Sequence, residues 1–309
     1  MDTTSLISSI SVPRLSFYET FLGCATDQEK VGAYVAYQDL SGDFFCLVQM
    51  IEVALRNAIN NTIKANHGPA WYDSIPQTKK SQDLVLNAKQ KALDECGVRY
   101  TDDDVICRLT FGFWVYMLDA PYRDTQRPCY IWTPENKAKT FPHAKNPLGG
   151  GDMKVKALFD EFHKVLLFRN RLFHHEPIWK KHHCKSHSQA INNMVKEFNF
   201  LMNALSIVSN EKKELIEFIG HDRRFYERCT IEYVMGIIGR IKCRELKVAG
   251  KSERIAQVID FKAFFTKRTL VFIFIILYFL CRSNGSVDFL FHLFEWLIIP
   301  YLTSNLKDK

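Results

Sequence analysis

The residues best equipped for chemistry lie in one short stretch, Phe168-Arg169-Asn170-Arg171-Leu172-Phe173-His174-His175-Glu176-Pro177-Ile178-Trp179. Cleaving RNA without a metal makes three demands. The ribose 2′-hydroxyl must be deprotonated or positioned, the leaving 5′-oxygen must be protonated, and a fixed cation must meet the charge building on phosphorus. Histidine serves as acid or base near neutral pH. Arginine presents a planar, permanently charged fork that matches phosphate oxygens. Asparagine orients either partner. Arg169, Asn170 and His174 supply all three side-chain types.

Spacing limits how they act. Asn170 and His174 are four residues apart and share a helix face. Arg169 and His174 are five apart, about 140° around an ideal helix. Either Arg169 reaches round the helix, or a second copy of the motif completes the site. A helix C-terminus carries partial negative charge and favours a cationic imidazole, which suits His174 as the general acid.

The chain must therefore set this stretch at a helix end, and its pattern does so. Val155, Leu158, Phe159, Phe162, Val165, Leu166 and Phe173 form a broad apolar face on a helix expected from near Asp152 to His174 or His175. Pro177 disfavours helix at Glu176. Earlier, Phe44, Leu47, Val48, Ile51, Leu55, Ile59 and Ile63 predict a long helix over about 43–67, stopped by Gly68-Pro69. A second helix is expected over 81–96, with Gly97 just past its end. Thr101 and Asp104 resemble a capping box that starts a third helix running toward Leu118. Residues 123–151 read as an irregular connection. Helices over 188–208, 212–219 and 223–247 follow. No β alternation and no repeat is seen, so the fold class is all-α.

Three blocks resemble the abortive-infection (Abi-like) family of bacterial phage-defence proteins, within the HEPN superfamily. They are Ile51-Glu52-Val53-Ala54-Leu55-Arg56-Asn57-Ala58-Ile59, Leu109-Thr110-Phe111-Gly112-Phe113-Trp114, and Arg169-Asn170-Arg171-Leu172-Phe173-His174-His175-Glu176-Pro177. Pro13-Arg14-Leu15 also fits. The blocks fall in family order over residues 10–210. The resemblance implies a HEPN-type helical bundle, RNA as substrate, endonucleolytic cleavage without a metal or other cofactor, and action as a homodimer or with an RNA or protein antitoxin. It sets the catalytic residues at Arg169, Asn170 and His174. Residues 211–309 lie outside it and read as a helical C-terminal extension.

Around this core, Arg56-Asn57 forms a second RN pair, but Asn61 stands where a histidine would complete the motif. A structural or RNA-positioning role is expected there, with Glu52 pairing to Arg56 along the helix. Arg171, His175, Lys180 and Lys181 are expected to support RNA binding beside the site. Phe111, Phe113 and Trp114 read as core, with Gly112 allowing close helix approach. His182, His183, Cys184 and His187 lack the paired spacing of a zinc site.

The net charge of +7 fits an RNA or anionic-membrane partner. Nine unpaired-looking cysteines and no basic n-region after Met1 lead to an expected cytoplasmic location. An apolar hairpin over about 269–302, with Lys262, Lys267 and Arg268 before its first stretch and Arg282 after that stretch, offers attachment to the inner face of the cytoplasmic membrane. Two other functions remain open at this point: a non-catalytic RNA-binding HEPN protein, and a membrane-acting effector working through the hairpin.

Overall fold

Helix α3 organises the molecule, and its first turn explains why it is so long. In the computed structural model, which describes residues 3–145 and 151–243, the Thr26 hydroxyl accepts the Glu29 N–H while the Glu29 carboxylate accepts the Thr26 N–H at 3.1 Å. This capping box fixes the start of α3, Asp27–His67, well before the residue 43 that apolar spacing suggests. Gly32 and Gly42 dilute the helical pattern in its first half. The 41-residue helix is about 60 Å long at 1.5 Å per residue. Gly68, at φ 83°, ends it.

Before it come α1, Thr3–Ile10, and α2, Val12–Leu22. After it come α4, Trp71–Ser74, α5, Lys79–Cys96, and a 3-10 turn, Gly97–Arg99. The single helix expected from Thr101 to Leu118 is two: α6, Asp102–Arg108, and α7, Phe111–Tyr116. The chain extends at Leu109 and Thr110, and the Thr110 hydroxyl caps α7 by accepting the Phe113 N–H. The connection after residue 119 holds α8, Ala120–Arg123, and α9, Pro134–Thr140, each capped by the side chain before a proline-bearing first turn. Then follow α10, Val155–Phe173, α11, His187–Val208, α12, Asn210–Phe218, α13, His221–Arg228, and α14, Ile231–Cys243. The described residues form no β-strand, only an isolated bridge between Lys145 and Asp152. The fold is all-α.

Leu40, Phe44, Leu47, Val48, Ile51, Leu55 and Ile59 run down the buried face of α3. Helices α2, α10, α11 and α14 pack around it. Phe44 lies against Phe168, Phe198 and Phe225, which joins α10, α11 and α13 to the same core. Phe198 and Phe225 stack with centroids 3.9 Å apart. The core therefore continues past residue 210 through Ile216, Phe225, Val234 and Ile238.

A polar clamp fixes this last part. Arg228 bonds both carboxylate oxygens of Asp43 at 3.1 Å and also reaches Asp39. A His221 ring nitrogen lies 2.8 Å from the Asp43 carbonyl oxygen. Phe111, Phe113 and Trp114 are buried, as core residues should be. Gly112 is not a point of close approach: a Cβ there would meet Leu166 at an ordinary 3.9 Å. The tight contact lies at Gly32, where a Cβ would come within 2.8 Å of the Ile238 backbone.

Among the described residues, no helix is long and apolar enough to cross a membrane. The expected apolar hairpin over 269–302 lies outside the described residues.

Candidate functional site

Helix α10 carries the motif, and its end is built to present it. Leu158, Phe162, Val165, Phe168 and Leu172 bury its apolar face. The helix closes with two reversed hydrogen bonds: His175 N–H to Leu172 O at 3.0 Å, and Glu176 N–H to Arg171 O at 2.9 Å. This is the pairing of a Schellman motif, with His174 as C-cap and His175 in the left-handed region at φ 56°. Glycine normally fills that position, because a Cβ there costs about 1–2 kcal/mol. Both histidines are exposed. His175→Gly should therefore stabilise the fold by about 0.5–1 kcal/mol, and His175→Val should destabilise it. Thermal denaturation checks both; a lower melting temperature for the glycine variant would contradict the geometry.

Arg171 builds the turn that follows. One of its terminal nitrogens donates to the Pro177 and Lys180 carbonyl oxygens at 2.9 and 3.3 Å. Its Nε lies 3.5 Å from the Glu176 carboxylate. Ile178 and Trp179 beyond are fully buried. Arg171 thus holds the loop against the core.

Arg169 turns the other way, toward α3. Its Nε donates to Glu52 Oε1 at 2.8 Å, and its guanidinium lies 4.2 Å over the Phe173 ring. Phe173 in turn meets Phe45 of α3 edge-on at 5.2 Å. So the first and third sequence blocks meet, and Glu52 pairs with Arg169 rather than with Arg56 as expected. Arg56 instead bonds Asn57 at 3.2 Å. Nearby, Lys212 is held below its ordinary pKa by burial first and by the Arg56 charge second.

The Glu52 contact uses one donor of the Arg169 fork. Its terminal nitrogens make no hydrogen bond among the described residues. The side chain is about a third exposed, so a phosphate can reach it. Asn170 is half-buried and His174 exposed, and neither side chain has a hydrogen bond among the described residues. The three motif residues share the last turn of α10, with Arg169 drawn toward α3 and His174 exposed at the C-cap.

The two lysines of the following loop are engaged elsewhere. Lys180 Nζ sits over the rings of Phe17 and Phe21 at 3.8 and 4.8 Å. Lys181 pairs with Glu197.

The histidine-rich stretch divides. His182 and His183 are exposed, while His187 turns inward to Tyr37 at 3.1 Å and Cys24 at 3.9 Å. Burial pushes the Cys24 thiol up to about 11 and holds His187 below its ordinary value. Both shifts disfavour the thiolate–imidazolium form of a reactive cysteine. Among the described residues, no group of three or more His, Cys, Asp or Glu side chains is placed to hold a metal ion.

Sequence reasoning missed the role of Glu52. Its position in the first block was the available signal, but the cross-helix pairing depends on how α10 crosses α3. Comparisons with protein-family models, curated proteins and solved structures give no match.

Proposed function

We propose that this chain is an endoribonuclease of HEPN type that cleaves RNA without a metal, as an effector of phage defence or an RNase toxin. The observation that carries the reading is the end of α10. There an exposed His174 with no hydrogen-bonding partner in the described structure follows an arginine whose fork is oriented by Glu52 yet still open. A purely structural arginine and histidine would spend these groups on carbonyls, as Arg171 does. The three-block resemblance adds the family and the physiological setting.

In this reading, Arg169 meets the phosphate with its terminal nitrogens, held by Glu52 and Phe173. His174, at the negative end of the helix, protonates the leaving 5′-oxygen. Asn170, on the same face, orients the imidazole or the phosphate. On an ideal helix Arg169 and His174 point about 140° apart, and Arg169 is drawn toward Glu52, so a second copy related by a two-fold axis completes the site. Its contact surface is the α10 end, where Phe45 and Phe173 are exposed.

The test is cleavage of cellular RNA by the wild-type protein and by an Arg169→Ala/His174→Ala variant. The wild type should generate fragments and the variant should not. Equal fragmentation by the two proteins would end the proposal.

A further inference from the structure

An open groove of about 630 Å³ lies between α10 and α11, on the side of α10 away from Arg169. Lys164, Leu167 and Arg171 line it from α10, Lys196 and Phe200 from α11, and His183 from the loop between them. Its charge is lopsided. The one acid in the wall, Glu197, is already paired with Lys181. Lys196 is exposed and has no ion pair among the described residues. Lys164 is 65% exposed and has only Glu161 of its own helix at 3.5 Å, a pairing too weak to hold it. The same walls carry Leu167, half exposed and one turn from Lys164, and Phe200, half-buried and one turn from Lys196.

We infer that this groove binds single-stranded RNA, with backbone phosphates on Lys164 and Lys196 and an unpaired base against Phe200 and Leu167. The inference rests on the RNA-cleaving reading of α10 and extends it to the substrate: the site takes an unpaired strand. Two observations favour a nucleic acid over an acidic peptide. Cations one helical turn from an aliphatic and an aromatic side chain match the alternation of phosphate and base in a single strand. The groove also opens beside the proposed site: Leu167 precedes Asn170 by three residues and His174 by seven, so all three lie on one side of α10. Lys164 and His174 are about 15 Å apart along the helix axis, so a strand cut at His174 continues into the groove. A duplex keeps its bases paired and cannot use Phe200.

The test reads binding separately from cleavage. A His174→Ala protein is titrated with a labelled oligouridylate, and compared with the same protein carrying Lys164→Gln and Lys196→Gln. Both lysines are exposed, so folding should be unaffected. Losing two phosphate contacts should weaken binding roughly 25-fold at about 0.1 M salt, and make the salt dependence shallower by about 1.4 in log–log slope. Phe200→Ala should weaken the single strand and leave duplex RNA unchanged. Unaltered oligouridylate affinity in the lysine variant would overturn the inference. So would a loss confined to an oligoglutamate probe, which would mark a peptide groove. If the lysines govern RNA binding but the wild type cleaves no RNA, the groove stands and the nuclease reading falls. If cleavage is intact and binding ignores the lysines, the groove alone falls.

Discussion

Arg169→Ala and His174→Ala proteins, each inactive alone, are expected to regain cleavage when mixed. Each single change should cost about 10²–10⁴-fold in rate, the usual contribution of a positioned acid or a preorganised cation. The recovery follows from the direction of the side chains. Arg169 turns toward Glu52 on α3, while His174 stands at the solvent end of α10. In the proposed two-copy site, a phosphate in contact with both uses Arg169 of one copy and His174 of the other. In a mixed dimer one such pair is intact and the other doubly broken. Random pairing makes half the dimers mixed, so activity should return to about a quarter of wild type. The exposed Phe45 and Phe173 supply the apolar surface such a contact needs. No recovery on mixing, together with specific activity that is independent of protein concentration, would mean that one chain suffices.

Opposite stability changes are expected from the same substitution at two points of α3. Gly42→Ala should stabilise by about 1 kcal/mol, because alanine is the better helix former and a Cβ at 42 meets nothing within 4 Å. Gly32→Ala gains the same propensity but drives a Cβ to 2.8 Å from the Ile238 Cα. Backbone cannot swing aside as a flexible side chain can. Helix α14 must shift, which costs about 1–3 kcal/mol beyond the propensity gain and breaks the packing of Val234 and Ile238. Melting temperatures should rise by about 2–4 °C for the first variant and fall for the second. Stabilisation by both changes would mean that α14 does not pack on α3 as described.

The sequence made the helical class, the end of α10 and the buried stripe of α3 legible, because these depend on local rules: apolar spacing, Pro177 after the helix, and glycine at its stops. The start of α3 was hidden. Thr26 and Glu29 carry a readable capping box, but Gly32 and Gly42 blur the pattern behind it, and only contact with α14 explains why Gly32 is needed. The break at Leu109 and Thr110 was likewise masked by apolar residues on both sides of it. In the site, the residue types were plain, but their partners were not. Lys180 and Lys181 read as free cations beside the motif; aromatic rings of α2 and a carboxylate of α11 claim them. Arg169 and Arg171, two residues apart, take opposite tasks because one faces α3 and the other the loop that follows α10.

The chemistry of the cut ends tests the central claim most directly. If Arg169 and His174 cleave by attack of the ribose 2′-hydroxyl, fragments from the wild-type protein should carry 2′,3′-cyclic phosphate or 3′-phosphate, and should form equally well in EDTA. The Arg169→Ala/His174→Ala protein should form none. Fragments ending in 3′-hydroxyl, whose formation stops in EDTA, would contradict the account, because they would place a metal-activated water where these side chains are proposed to act.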